Sequence, residues 1–135
     1  MGASGWTYFV PYRSDVAAAL AALRADVFAK KTFYTGHKKR AAKAKTIADA
    51  IRLTAEEGTH SILDVDRIVD TPHGSDPMRF GCVAPADLGR VTHAEAEVRV
   101  FELFDLCPRN TGVWTTVYDE RGEPSELLFA GKSGD

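Results

Sequence analysis

Val16, Leu20, Leu23 and Val27 recur at intervals of four, three and four in an alanine-rich stretch, which places four apolar side chains on one face of a helix. Ser14 and Asp15 stand just before it as N-cap signals. A striped helix of this kind must lay its apolar face on another element, and the strand-like runs elsewhere in the chain supply one. Residues 6 to 13, Trp-Thr-Tyr-Phe-Val-Pro-Tyr-Arg, are aromatic and β-branched and read as a first strand, with Pro11 at its end or on a sheet edge. Gly112-Val-Trp-Thr-Thr-Val-Tyr118 and Ser125-Glu-Leu-Leu-Phe-Ala130 are two further runs, joined by a polar turn with Gly122 and Pro124, and so read as a β-hairpin. The helix stripe is therefore expected against Trp6, Phe9, Trp114 or Phe129.

Between these elements the pattern is less regular. The basic run from His37 to Lys45 opens a second helix on this reading, because Ala44, Ile47, Ala48, Ile51 and Ala55 keep helical spacing and Gly58 stands at a C-cap position. Residues 59 to 70 read as a strand, residues 71 to 77 as a loop, and residues 78 to 84 as a short strand stopped by Pro85. Thr92 and Glu95 form a capping-box pattern that favours a helix through Val98, Phe101 and Phe104 or Asp105, although Ala94, Ala96, Val98 and Val100 also alternate as a strand would. The 135 residues are the length of one domain, residues 1 to 135. The expected fold is α+β: one mixed, largely antiparallel sheet of four or five strands with two or three helices packed on it. Regular βαβ alternation is not expected.

Charge is distributed unevenly. Residues 1 to 45 carry 9 Lys and Arg against 2 Asp and Glu, whereas residues 46 to 135 carry 8 against 17, so a net charge of -2 hides opposite halves. Seven of the cations lie within residues 30 to 45, beside Phe33 and Tyr34. Such a run suits an acidic protein surface or a small anion; it also resembles a small nucleic-acid patch, but an acidic remainder would repel a long polyanion. A protein partner is thus favoured over nucleic acid at residues 30 to 45. Lys38, Lys39 and Arg40 are the candidate binding residues, together with Asp135, whose carboxylate is expected to be ordered and to reach them. No apolar run approaches the ~18 residues of a membrane helix, and the first residues resemble no secretory signal, so no membrane contact and a cytoplasmic location are expected.

The densest reactive set is His60, Ser61, Asp64 and Asp66. On a strand, His60, Asp64 and Asp66 would stand in a row with Ser61, Leu63 and Val65 on the other side. One imidazole and two carboxylates suit a divalent metal, and His with Asp suits general-base chemistry. A strand with one solvated face shows the same alternation. Catalytic candidates are therefore His60, Ser61 and Asp64, and weak metal candidates are His60, Asp64 and Asp66. His37, His73 and His93 are not brought together by spacing. Cys82 and Cys107 lack the spacing of a zinc knuckle and are expected reduced and buried. The chain has no Walker loop, dinucleotide fingerprint, Gly-x-Ser-x-Gly elbow or zinc-deaminase signature, and no cofactor is expected. These observations favour a small non-catalytic protein-binding module, immunity-like or an adaptor; the alternative is a small enzyme or metal-binding protein built around His60, Asp64 and Asp66.

Three segments, Gly5-Trp-Thr-Tyr-Phe-Val-Pro-Tyr12, Gly58-Thr-His-Ser-Ile-Leu-Asp64 and Phe129-Ala-Gly-Lys-Ser-Gly-Asp135, resemble those of a family of small uncharacterised bacterial single-domain proteins. The likeness covers most of the chain and departs most in the basic run and in residues 71 to 95. It implies a stand-alone bacterial domain and brings no activity with it.

Overall fold

The structure, a computed structural model, describes residues 4–74 and 79–134. Five strands, β1 (Gly5–Pro11), β2 (Arg67–Ile68), β3 (Cys82–Pro85), β4 (Thr111–Tyr118) and β5 (Pro124–Lys132), form one sheet in the order β1-β5-β4-β3-β2. β5 is antiparallel to both β1 and β4, over ladders of seven and eight residue pairs, while β4, β3 and β2 run parallel over three and two. The sheet is accordingly mixed and largely antiparallel, and the expected α+β class holds. The β4–β5 hairpin is closed by Asp119, whose carboxylate accepts from the N–H groups of Arg121 (2.9 Å) and Glu123 (3.0 Å), with Gly122 at φ 78°.

One register row explains the packing of the first face. Trp6 pairs with Gly131, Gly131 with Gly112, and Gly112 with Val83, so a tryptophan, two glycines and a valine cross four strands on the same side. The Trp6 ring reaches over both glycines. A Cβ at Gly131 would overlap Trp6 Cζ2 and stand 2.5 Å from Thr111 O; a Cβ at Gly112 would stand 2.9 Å from Trp6 Cη2. Onto this surface packs α1 (Val16–Lys30), capped by the Asp15 carboxylate accepting from Ala18 N–H at 3.1 Å and closed by Lys31 in the left-handed region. Leu20, Leu23 and Val27 are buried with Trp6 and Phe129, and Trp114 packs against the same cluster. Val16 is half-buried. Phe9 is not part of this core: strand alternation turns it to the opposite face, where it packs against the cluster that holds Leu103, Leu128 and Ala130.

The basic run does not begin the second helix. Residues Arg40–Lys43 form a 3-10 turn, and α2 (Ile47–Leu53) starts only after Thr46, whose hydroxyl accepts from Asp49 N–H at 3.1 Å. Gly58 lies beyond the helix end, at φ 75°, with its N–H on Thr54 O at 2.7 Å. The expected strand over residues 59 to 70 is also corrected. Gly58 and His60 both have positive φ, Ile62–Asp64 is a 3-10 turn, and only Arg67–Ile68 is extended into the sheet. β3 starts at Cys82 rather than near Met78, which lies outside the described residues.

The opposite face is covered by α3 (His93–Val98) and α4 (Val100–Phe104). The Thr92 and Glu95 capping box is formed, which settles the region as helical. These helices connect parallel β3 and β4, making one βαβ crossover that the sequence reading did not anticipate; parallel neighbours require such a connection. Ala96, Leu103 and Cys107 face the sheet, while Val98 and Phe101 stay 80% and 73% exposed. No helix among the described residues is long and apolar enough to cross a membrane.

The glycine row generates a test. Replacing Gly131 by Ala sets a methyl against both a ring and a backbone oxygen, neither of which can yield independently, so a loss of about 3 kcal/mol, the upper part of the overpacking range, is expected in urea unfolding. Gly112→Ala should cost less, because its contacts are looser. Equal losses for the two variants would show that the Trp6 ring is free to shift.

Candidate functional site

The turn after Gly58 is organised by one carboxylate. Asp64 accepts from Thr59 N–H (2.8 Å), Thr59 Oγ1 (2.8 Å) and His60 N–H (3.1 Å), so both of its oxygens are committed to the backbone and side chain of its own turn. Ser61 is buried; its Oγ accepts from Leu63 N–H at 3.2 Å and shares a hydrogen bond with Thr59 Oγ1 at 2.7 Å. His60 turns its ring back to Glu57 O, 2.7 Å from Nε2, and stacks on Tyr34 with centroids 5.0 Å apart. Asp66 lies beside Arg67 at 3.4 Å, and its N–H donates to Gly81 O. The row of His60, Asp64 and Asp66 expected on one strand face therefore does not form, because the 3-10 turn and the left-handed His60 destroy the two-residue period on which it depended. Among the described residues no group of three or more His, Cys, Asp or Glu is arranged to hold a metal ion.

Asp64 is thus tied to the fold, and its neutral isostere tests how firmly. Asp64→Asn keeps one acceptor oxygen and replaces the other with an NH2 donor, leaving the turn short of acceptors for Thr59 and His60. A loss of about 1–3 kcal/mol is expected in urea unfolding, whereas no change would mean that the turn is held by its packing alone.

The basic segment is built differently from a solvated tail. Ala41 and Ala44 are buried in the first core, Ala41 N–H donates to Thr35 O at 3.0 Å, and Lys31 Nζ donates to Ala44 O at 3.2 Å. Lys39 takes the left-handed conformation at φ 56° with its N–H on Gly36 O. Small apolar residues inside and cations outside give a turn anchored on the core whose charged side chains are presented to solvent: Lys38, Lys39, Arg40, Lys43 and Lys45 are exposed. A polar cavity of about 330 Å³ opens beside it, lined by His37, Arg40, Arg52, Glu56 and Glu57 among others. Asp135, expected to join Lys38, Lys39 and Arg40, lies outside the described residues; Gly134 sits against Asn110, its nearest contact 3.7 Å from an added Cβ.

The remaining reactive groups take structural places. Cys82 and Cys107 are buried and unpaired, and burial pushes the Cys107 thiol up to about 12 while its Sγ donates to Leu103 O at 3.3 Å. His73 is buried with Nε2 2.6 Å from Gly112 O, and burial lowers its pKa.

His93 is the group that spacing undervalued. Its Nδ1 lies 2.8 Å from Glu126 and its Nε2 2.9 Å from Glu97, and its ring lies tilted against that of Phe9 with centroids 3.9 Å apart. Glu97, one helical turn on, was legible as an i,i+4 partner; Glu126 comes from β5 and was not. Only the imidazolium donates from both nitrogens, and the hydrogen bond to Glu126, with that to Glu97, raises its pKa against a smaller opposing effect of burial.

A raised folded-state pKa stabilises the fold fully below the unfolded value of about 6.5 and is lost as pH rises through the folded value. The stability advantage of the wild type over His93→Gln should therefore shrink as the pH of the unfolding measurement is raised from about 6 to 8. A pH-independent difference would contradict the double clamp.

Compared with family models, with curated proteins and with solved structures, the chain finds no match.

Proposed function

We propose that the protein is a non-catalytic binding module that docks an acidic surface of another protein through Lys38, Lys39 and Arg40, with Lys43 and Lys45 at the margin. The observation that carries this reading is the construction of the turn: buried Ala41 and Ala44 hold it, and five exposed cations project from it. Charges fixed on an anchored turn lose less freedom on binding than charges on a loose tail. The basic turn belongs to the face of α1 and α2, and the opposite face carries Glu95, Glu97, Glu102 and Asp105 on or just after α3 and α4. A concentrated basic turn on a chain with acidic groups elsewhere is oriented by the field of a charged partner as it approaches. The acidic side disfavours a long nucleic acid that would wrap beyond the turn, and the partner is read as a compact cytoplasmic protein.

The alternative of an enzyme centred on His60, Asp64 and Asp66 has less support, since Asp64 is occupied within its own turn and Ser61 is buried.

The test is charge reversal of Lys38, Lys39 and Arg40 to Glu together. All three are exposed, so the unfolding free energy should move by no more than about 0.5 kcal/mol per site. Cross-linking in the source cell followed by mass spectrometry should find a stoichiometric acidic protein with the wild type and lose it with the triple variant. Retention of that partner would refute the assignment. Tight binding of a DNA or RNA duplex that weakens steeply between about 50 and 200 mM salt would replace it with a nucleic-acid function.

A further inference from the structure

The two edges of the sheet are unlike. β2 closes one side and is two residues long, too short to template another strand. β1 closes the other with seven residues, Gly-Trp-Thr-Tyr-Phe-Val-Pro, and carries no charge. Protein sheets usually guard a long edge with Lys, an inward charge, a bulge or a covering element. Among the described residues β1 has none of these along its outer edge apart from Pro11 at its end.

The hydrogen-bond parity of this edge can be read from its ends. Ser133 N–H donates to Ser4 O, and Tyr12 N–H donates to Ser125 O. Backbone groups alternate along an antiparallel ladder, so those of Trp6, Tyr8 and Val10 face β5, and those of Gly5, Thr7 and Phe9 face outward. The geometry points to a second copy of this chain as the occupant of the edge, paired antiparallel about a two-fold axis at Thr7.

In that register Thr7 exchanges both bonds with its symmetry mate, and Gly5 exchanges both with Phe9 of the other copy. All three outward donors and their carbonyls are satisfied on each chain. Sliding the strands either way brings in Pro11, which has no N–H, or a residue outside β1. The side chains agree with the backbone. On one face Trp6 of each copy stands in register opposite the half-buried Tyr8 of the other, two uncharged positions, with the Trp6 ring itself turned inward over Gly131 and Gly112. On the other face Phe9 of one copy comes beside Gly5 of its mate, where Phe104 already lies within 2.8 Å of an added Cβ.

The edge is also accessible. Thr7, at the axis, is exposed, and the helices reach β1 on either side of it, through Phe104 over Gly5 and His93 beside Phe9. Phe101 is 73% exposed and meets Phe104 edge-on with centroids 6.0 Å apart, so the apolar surface continues from Phe104 outward. This surface lies on the opposite face of the sheet from the basic turn, and the inference does not depend on the function proposed for that turn.

The experiment is the solution mass of the full chain and of two variants. The wild type should sediment at twice 14.7 kDa. Thr7→Pro removes the axial donor without touching a bond to β5, and Thr7→Lys sets two like charges at the axis; both should halve the mass while circular dichroism and melting show an intact fold. Amide exchange of Gly5, Thr7 and Phe9 should be slow in the wild type and fast in Thr7→Lys. A wild type that stays at 14.7 kDa at its highest soluble concentration overturns the inference. So does a dimer that survives both substitutions, or one whose Gly5, Thr7 and Phe9 amides exchange as fast as those of the monomeric variant.

Discussion

The Trp6 ring laid across Gly131 and Gly112 is the contact on which the rest of the structure depends. A tryptophan that crosses two strands joins the first strand of the chain to the last two, which are separated from it by most of the sequence. It also makes a smooth apolar floor beneath α1, since neither glycine raises a side chain into the space that Leu20, Leu23 and Val27 enter. Burial of each large side chain in such a layer contributes roughly 1.5–3 kcal/mol. The arrangement requires β5 to lie between β1 and β4, because only there can its residues pair with one on each side.

With the sheet ordered in that way, the remaining chain is bound to it at a few specific points. The Asp64 carboxylate holds the turn from Thr59 and so delivers Ile62, Leu63 and Val65, all buried, into the first core. Ala41 and Ala44 bring the basic turn onto the same layer, and their small size keeps its cations close to the surface while pointing outward. On the second face, Ala96, Leu103 and Cys107 seat the short helices, and His93 ties the start of α3 to β5 and β1 through Glu126 and Phe9.

Two segments from opposite ends of the chain meet in this skeleton. Gly5–Pro11, which contains Trp6, pairs directly with residues 126 to 132, which contain Gly131. Gly58-Thr-His-Ser-Ile-Leu-Asp64 is the turn closed by Asp64. Side chains in these segments that read as reactive, His60, Ser61 and Asp64, are bonded to their neighbours in the turn, which gives them a place in the fold.

What was legible in the sequence was whatever rests on contacts close along the chain. The period of Val16, Leu20, Leu23 and Val27 marked α1, the Thr92 and Glu95 pair marked the start of α3, and the turn from Asp119 to Pro124 marked the hairpin, because each is governed by bonds spanning a few residues. Residues 59 to 70 misled because alternation of polar and apolar types is shared by strands and by turns that happen to bury every second residue; the left-handed His60 and the grip of Asp64 are not visible in that alternation. Val98 and Phe101 keep helical spacing yet face outward, since which side of a short helix is buried depends on the sheet beneath it. The strand order, the parallel placement of β3 and β4, and the meeting of His93 with Glu126 were likewise decided only in three dimensions, where the Trp6 ring, needing two glycines beneath it, selects Gly131 and Gly112 from opposite strands of the hairpin.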